Sequence, residues 1–401
     1  MPALPSHPAA NEAMHILWLT EHAHPGRGGM AASCERLVSG LRRAGARVDI
    51  VQLTGGAGDV QCQVELGGER IFAPLGDDAA HGMHALWVHL QACARPWTHV
   101  VAFGGQQPLI AAPVLAAWLG LPLLTLLRGN DFDTAVFQPL RLAALTNALT
   151  RSVAVLTVSH DMQQRVSALY PGLNVTTAAN GIALQHWQAL PSDRSRAAAW
   201  RASAVTPGCC VLGVFGQIKA KKGALLLLET LAAADLAPHF HLLFIGELDQ
   251  AVHDYLETHP QISASVKAAL DRDQLIPWYL ACDAVALPSL YDGMPNVLLE
   301  AGALGVPVIA ARAGGIPDVM QDARHGWLFA PGDREACGAA LAHFLATPAE
   351  QRVRTGQQLR KRIAVEFTSE READALLTVL NAVARRDSHT EKTAPAALTS
   401  R

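Results

Sequence analysis

The sequence predicts an α/β protein of two domains, each a succession of βαβ units. Three observations carry this expectation. Short apolar runs such as His15–Thr20, VDIVQL, THVVAF and LPLLTLL alternate with longer stretches of helical spacing, and near-continuous Val/Leu/Ile runs suit strands covered on both faces of a parallel sheet. Glycine, proline and lysine collect where such runs end, at 26–29, 217–223, 292–295 and 314–318. The 401 residues, half of them hydrophobic, are enough for two full-sized cores, and a polar stretch near the middle divides them.

Residues 1–13 are Pro/Ala/His-rich without periodicity and are expected to be a disordered lead. The first domain runs over 14–184. Its opening strand, His15–Thr20, ends in HAHPGRGGM, and AASCERLVSGLRRAG follows with helical spacing as far as Gly45. Strand, glycine loop and helix in that order make the first half of a βαβ unit, with the loop at the strand's carboxyl end. Gly26, Gly28 and Gly29 are too loosely spaced for a dinucleotide fingerprint. Taken alone they mark a turn, although glycines also let backbone amides approach a phosphate. After VDIVQL come a variable region from Thr54 to Asp78, a helix near His81 to Ala94, strand THVVAF, helix PLIAAPVLAAWLG, and strand LPLLTLL running into Arg128-Gly129-Asn130-Asp131. Two more strands, in VAVLTV and NVTTAA, precede an Asn180-Gly181 turn.

Between 185 and 206 both periodicities lapse, and this Arg- and Ala-containing segment is expected to link the domains. The second domain, 207–368, opens with the strand CCVLGVFG, then Gln217-Ile218-Lys219-Ala220-Lys221-Lys222-Gly223 and the helix ALLLLETLAAA. Three lysines at a strand's carboxyl end, just before a helix N-terminus, can neutralise a diphosphate by charge and dipole together; a solvated basic turn is the plainer reading. HLLFIGEL gives the next strand, and DAVALP a further buried one. The loop after DAVALP holds Asp292, Gly293, Met294, Pro295 and Asn296, and NVLLEAGAL begins a helix there. Its free N–H groups and the positive end of its dipole suit a hydroxyl-rich or anionic ligand. Asp292 and Glu300, eight residues apart, can contact two parts of one ligand, since carboxylates accept hydrogen bonds from sugar hydroxyls. VPVIAA and then Gly314-Gly315-Ile316-Pro317-Asp318 repeat the pattern, with Pro in a first helical turn. From Asp333 the chain reads as helix, ending in a long amphipathic one over 369–386 with Ser369 as its N-cap. Residues 387–401 carry no core pattern and are expected to be disordered.

The stretch from Pro288 to Asp318 resembles the donor-binding signature, written E-x7-E, of glycosyltransferase family 4, the retaining, nucleotide-sugar-dependent enzymes of the GT-B fold. The resemblance implies two Rossmann-like domains facing across a cleft, with the last helix crossing back to the first domain. It implies that Asp292 and the loop of Gly293, Met294 and Pro295 hold the transferred sugar, with Asn296 counted beside them, and that Glu300 binds the ribose. Lys222 matches the lysine that grips the donor phosphates. Gln217 stands where the family usually has arginine, a departure that removes one charge and that Lys219 or Lys221 can make good. Gly246 and Glu247 fall near the nucleotide, and Gly28 and Gly29 match a glycine pair facing donor diphosphate and acceptor. Arg128 falls where the family often has a histidine near the transferring sugar; a structural ion pair with Asp131 or Asp133 is the equally open alternative. Asp292 in place of Glu reaches one methylene less far, which bears on the identity of the sugar. Asp131-Phe132-Asp133 also matches the D-x-D metal pattern of the other large glycosyltransferase fold, but no third ligand accompanies it and no metal is expected.

Composition narrows the classes further. With 17% charged residues, a net charge of -3 and no basic stripe interleaved with aromatics, nothing points to nucleic acid. Seven cysteines, an odd number without a C-x-x-C pair, speak against a disulfide framework or structural zinc and fit a reducing cytoplasm. Cys209 and Cys210 read as core. The first apolar run, MHILWLT, is too short for a signal core or a membrane span. The expected function is transfer of a hexosyl-type sugar from a nucleotide diphosphate sugar, the co-substrate, to an acceptor hydroxyl, with retention and without metal or cofactor. Polysaccharide, glycolipid or glycoconjugate synthesis is the setting, with peripheral contact at the inner face of a membrane left open. Arg128, Lys222 and Asp292 are the catalytic candidates. A catalytically weakened nucleotide-sugar-binding scaffold, or another GT-B reaction such as epimerisation, is the alternative. Base, sugar, acceptor and oligomeric state are not legible.

Overall fold

The computed structural model describes residues 14–23 and 28–392, with side chains as far as 384. The expected lead and residues 393–401 of the expected tail lie outside the described residues. The chain divides into two compact units, one of residues up to Val158 with Gln163–Ala178 and the chain from Glu372 on, the other of Ser159–Met162 and Ala179–Arg371.

The first unit is built on β1 (His15–Thr20), β2 (Arg47–Thr54), β3 (Gln61–Glu65), β4 (Gly68–Pro74), β5 (His99–Phe103), β6 (Leu123–Leu127), β7 (Ala154–Thr157) and β8 (Val175–Thr177). They form one sheet in the order β3-β4-β2-β1-β5-β6-β7-β8, parallel throughout except for β3 against β4. Both faces are covered, which is why β1 is buried at every position and apolar from Ile16 to Leu19. Ile16 and Trp18 pack with Leu37, Leu41, Leu376 and Leu380 on one face, whereas Leu17 and Leu19 pack with Leu86, Leu90 and Leu115 on the other. Leu376 and Leu380 belong to the last helix, Ser369–Lys392, which thus supplies part of this unit's core.

The second unit contains β9 (Cys210–Phe215), β10 (Phe240–Ile245), β11 (Ser263–Lys267), β12 (Ala284–Leu287), β13 (Val308–Ala311) and β14 (Trp327–Phe329). The sheet is parallel in the order β11-β10-β9-β12-β13-β14. The strand order reverses between β9 and β12, and the loops leaving the carboxyl ends of two such neighbours border the crevice where open α/β sheets bind ligands. Leu212, Val214, Leu228, Leu231, Phe240, Phe244, Leu341 and Phe344 form its main core.

Four expectations change. The variable region after β2 holds the hairpin β3–β4, hidden because β3 is exposed along most of its length. The expected linker contains a helix, Pro191–Ala204, in which only Ala197 is buried, so no apolar stripe announces it. That helix belongs to the second unit, where Trp200 meets Trp278 edge-on and Arg201 pairs with Asp283 at 2.9 Å. The N-cap of the last helix is Thr368, whose hydroxyl accepts from the Arg371 amide at 3.3 Å, while the Ser369 hydroxyl bonds Glu370 instead. The same helix continues to Lys392, past the boundary expected at 386.

Candidate active site

The lysine loop and the acidic loop meet because β9 and β12 are hydrogen-bonded neighbours. Lys222 leaves the first loop, Asp292 the second, and their side chains form an ion pair between the ammonium and Oδ2 of the carboxylate. The Leu290 amide donates to the Lys221 carbonyl at 2.8 Å, so the two loops are also joined through backbone. Two glycines make this closeness possible. Gly223 has φ 70°, and a Cβ there would stand 1.9 Å from the Pro288 carbonyl oxygen. Gly314 has φ 50°, and a Cβ would stand 1.6 Å from the Asp292 carbonyl oxygen. Any side chain at either position would force the loops apart.

Two helices begin here, Ala224–Ala233 behind Gly223 and Asn296–Ala303 behind Pro295. Neither has a side-chain N-cap or an acidic residue in its first turn. Their positive ends are thus offset by no carboxylate of their own, which favours an anion at the loops. The Gly293–Pro295 loop is fastened on two sides: the Asn180 side-chain amide donates to the Met294 carbonyl at 2.6 Å, and the Gly315 amide to that of Gly293. Gly293, Met294 and Pro295 are buried, and Asn296 is half-buried. Glu300, one helical turn further in, accepts a 2.6 Å hydrogen bond on Oε2 from the Tyr279 phenol. Burial, followed by the nearby Glu300 charge, pushes the pKa of this phenol well above its usual range, so it stays protonated and remains a donor.

Gln217 and Lys219 are exposed, while Lys221 and Lys222 are half-buried. Lys221 lies over the Tyr291 ring at 5.3 Å. The Gly246 amide donates to the Lys267 carbonyl at 3.0 Å, and the Gly216 amide to that of Ile245 at 2.9 Å. Gly246 thus follows β10 beside the β9 loop.

Gly28, Gly29 and Arg128 belong to the first unit. Gly28, at φ 105°, precedes the helix Gly29–Arg43, and both glycines are exposed; Gly26 lies outside the described residues. Arg128 is buried, and its ion pair is with Glu372 at 2.9 Å, a partner that corrects the expected Asp131 or Asp133. Glu372 also takes Arg36 at 2.6 Å. Asp131 instead accepts the backbone amides of Arg128 and Gly129 at 2.8 and 2.7 Å, and burial pushes its acid up to about 6. Asp133 pairs with Arg165 at 2.7 Å. Among the described residues no group of three or more His, Cys, Asp or Glu side chains could hold a metal ion.

Sequence reasoning missed Tyr279, Asn180 and Glu372 as parts of these arrangements. Asn180 had a signal in its Asn-Gly turn; the other two sit in helices where nothing local marks them.

Two doubly wound α/β units, the second with lysine and acidic loops at the reversal of its strand order, make up the GT-B fold. The model for glycosyl transferases group 1 matches residues 209–347, and that for a glycosyl transferase 4-like domain matches 28–181. The chain belongs to the group 1 glycosyltransferases. Sucrose-phosphate synthase from Thermosynechococcus elongatus superposes with a TM-score of 0.74 at 17% identity, covering 93% of this chain and 100% of that one. Anabaena HepE, solved in complex with UDP-glucose, superposes at 0.73 with 18% identity, covering 92% and 100%. In sequence, a D-inositol 3-phosphate glycosyltransferase of Mycolicibacterium gilvum is 27% identical over 243 residues, 58% of this chain and 50% of the relative. The chain spans about half the length of such curated relatives, or less.

Proposed function

We propose that this protein transfers a hexosyl-type sugar from a nucleoside diphosphate sugar to an acceptor hydroxyl, with retention at the anomeric carbon and without a bound metal. The observation that carries this reading is the convergence of Lys222, Asp292 and two uncapped helix N-termini on adjoining loops. Negative charge grows on the leaving diphosphate as the glycosidic bond breaks, and fixed cations and amides aimed at it lower the barrier. In this reading Lys222 meets the diphosphate, with Lys219 or Lys221 standing in for the charge that Gln217 lacks. Asp292 and the Gly293–Pro295 backbone meet the sugar, and Glu300 meets the ribose. The leaving phosphate oxygen takes the proton of the acceptor hydroxyl on the face the phosphate vacates. HepE was solved with UDP-glucose and a starch synthase IV relative with ADP, which supports a nucleotide-sugar donor here.

A reducing cytoplasmic setting fits seven free cysteines, and no helix among the described residues is long and apolar enough to cross a membrane. Peripheral membrane contact belongs to the same reading through Phe137 and Leu140, 84% and 86% exposed beside Arg141. Co-sedimentation with anionic vesicles that Phe137→Ser leaves unchanged would remove that contact.

The test is a thermal-shift screen of UDP-, GDP- and ADP-sugars, since a ligand at a hundredfold excess over its dissociation constant adds about 2.7 kcal/mol of stability. The hit is then incubated with candidate acceptors, with and without EDTA, and the product's anomeric configuration read by NMR. Binding without transfer or hydrolysis would make the protein a scaffold. An inverted product would overturn retention, and loss of turnover in EDTA restored by manganese would overturn metal independence.

A further inference from the structure

We infer that Tyr279 is a positioning residue for donor binding: its phenol holds the Glu300 carboxylate in the orientation that receives the nucleotide. The inference rests on the reading of Glu300 as the ribose-binding acid. Tyr279 lies in the helix Arg272–Leu280, which ends shortly before β12, and its side chain is fully buried. Its hydroxyl donates to Glu300 Oε2 at 2.6 Å, the short distance of a hydrogen bond to a charged acceptor. The ring cannot swing away from that contact. It stacks on Phe215 with centroids 4.0 Å apart and planes 10° from parallel, and Trp187 closes on it edge-on at 5.8 Å.

Phe215 is the last residue of β9, and the chain passes directly from it into Gly216-Gln217 and the lysine loop. Tyr279 therefore ties the carboxylate assigned to the ribose to the strand that launches the cation assigned to the diphosphate. A glutamate at the half-exposed edge of a helix otherwise samples several rotamers, and fixing one in advance removes that entropy from the binding step. Tyr279 acts through Glu300, so its effect should appear in binding of the non-reacting part of the donor and not in the chemical step.

The test titrates UDP, GDP and ADP by calorimetry into wild type, Tyr279→Phe, Glu300→Gln and the double variant, with melting midpoints recorded for each. Phenylalanine keeps the ring on Phe215 and removes only the hydroxyl. For the tightest nucleotide, Tyr279→Phe should weaken binding about tenfold, the scale of one hydrogen bond to a charged group. With the matching nucleotide sugar, the donor KM should rise in the same proportion while kcat stays within about twofold. The double variant should bind no worse than Glu300→Gln alone. Glu300→Asp, which withdraws the carboxylate from the phenol without touching the ring, is a second probe. It should weaken the nucleotide as Tyr279→Phe does and become insensitive to that substitution.

Wild-type affinity in Tyr279→Phe beside a weakened Glu300→Gln would overturn the inference and leave the site reading standing. Losses that add in the double variant would also overturn it, because Tyr279 would then act apart from Glu300. Unchanged affinity in Glu300→Gln, or no binding of any of the three nucleotides by wild type, would overturn the site reading and the inference together.

Discussion

Lys222 and Asp292, separated by 70 positions in sequence, form a direct ion pair at the adjoining ends of β9 and β12. The ammonium proposed for the diphosphate is thus already engaged by the carboxylate proposed for the sugar. A donor must draw Lys222 at least partly from Asp292 to place a phosphate against it. The pair is partly exposed, at 27% and 12% for the two side chains, so its strength is that of a partly screened contact.

Asp292→Asn should therefore raise affinity for the free nucleoside diphosphate by a few fold, since releasing a pair of this kind is worth about 0.2–1 kcal/mol. Turnover of the nucleotide sugar should fall at the same time, because the sugar loses its charged acceptor. Calorimetry with the free nucleotide and a rate assay with the sugar separate the two effects. A fall in free-nucleotide affinity would show that Asp292 touches the nucleotide itself.

Lys222→Ala should cut turnover by about 100–1,000-fold, the loss of one preorganised charge-stabilising contact worth roughly 2.7–4 kcal/mol. Folding stability should change by less than about 1 kcal/mol, as for other partly exposed pairs. Urea denaturation and kcat measured on the same preparation decide it. If Lys222→Ala stayed active while Lys219→Ala or Lys221→Ala lost turnover, the phosphate cation would be one of those neighbours.

These residues were legible because loop chemistry and strand pattern coincide around them. β9, β12 and β13 read as continuous apolar runs; Lys222 and Asp292 lie in the loops after the first two, and Glu300 in the helix that follows β12. Legibility fails where a contact depends on residues far apart in sequence. Arg128 leaves two readings open in the sequence, a place near the transferring sugar or an ion pair with its neighbours Asp131 or Asp133; the ion pair it makes comes from Glu372, 244 positions away. Tyr279 draws no reading from the sequence, and its part comes only from its hydroxyl on Glu300, 21 positions on. Local pattern fails too where burial is one-sided or slight, as in the exposed strand β3 and in the helix Pro191–Ala204, held by Trp200 and Arg201 in place of an apolar stripe.

Glu372→Ala should be among the most destabilising single changes in the chain. Its side chain is fully buried between Arg36 and Arg128, and removing it leaves two guanidinium groups facing each other without the carboxylate. Breaking a buried pair in this way costs about 3–5 kcal/mol. Burial already lowers the pKa of Arg128, while the Glu372 charge opposes that shift and favours the cation. Chemical denaturation of wild type and Glu372→Ala measures the loss. A change below about 1 kcal/mol would mean that water or another acid replaces the lost carboxylate.

Asp49 should govern part of the acid limb of stability. Its carboxylate is fully buried in the first unit, contacts the His15 imidazole at 2.6 Å, and accepts from the Trp97 indole at 2.9 Å and the Glu69 amide at 3.0 Å. Arg47 stands 3.9 Å from its other oxygen. Burial pushes the acid up, but the hydrogen bonds from His15 and Trp97 and the charges of His15 and Arg95 outweigh it and hold the pKa below the ordinary 3.8. Because the unfolded chain takes up this proton at higher pH than the folded one, acid draws the equilibrium towards the unfolded state. The contribution is fully present well above pH 3.8 and is lost as pH falls through that value towards the folded pKa. Each unit of downward shift is worth about 1.4 kcal/mol. Asn at this position keeps one acceptor oxygen and cannot titrate. Urea denaturation between pH 7 and 3 should show Asp49→Asn less stable than wild type near neutrality, with the difference narrowing below about pH 4. A difference that stayed constant across that range would mean that Asp49 binds its proton equally well folded and unfolded, and that its hydrogen bonds only compensate for burial.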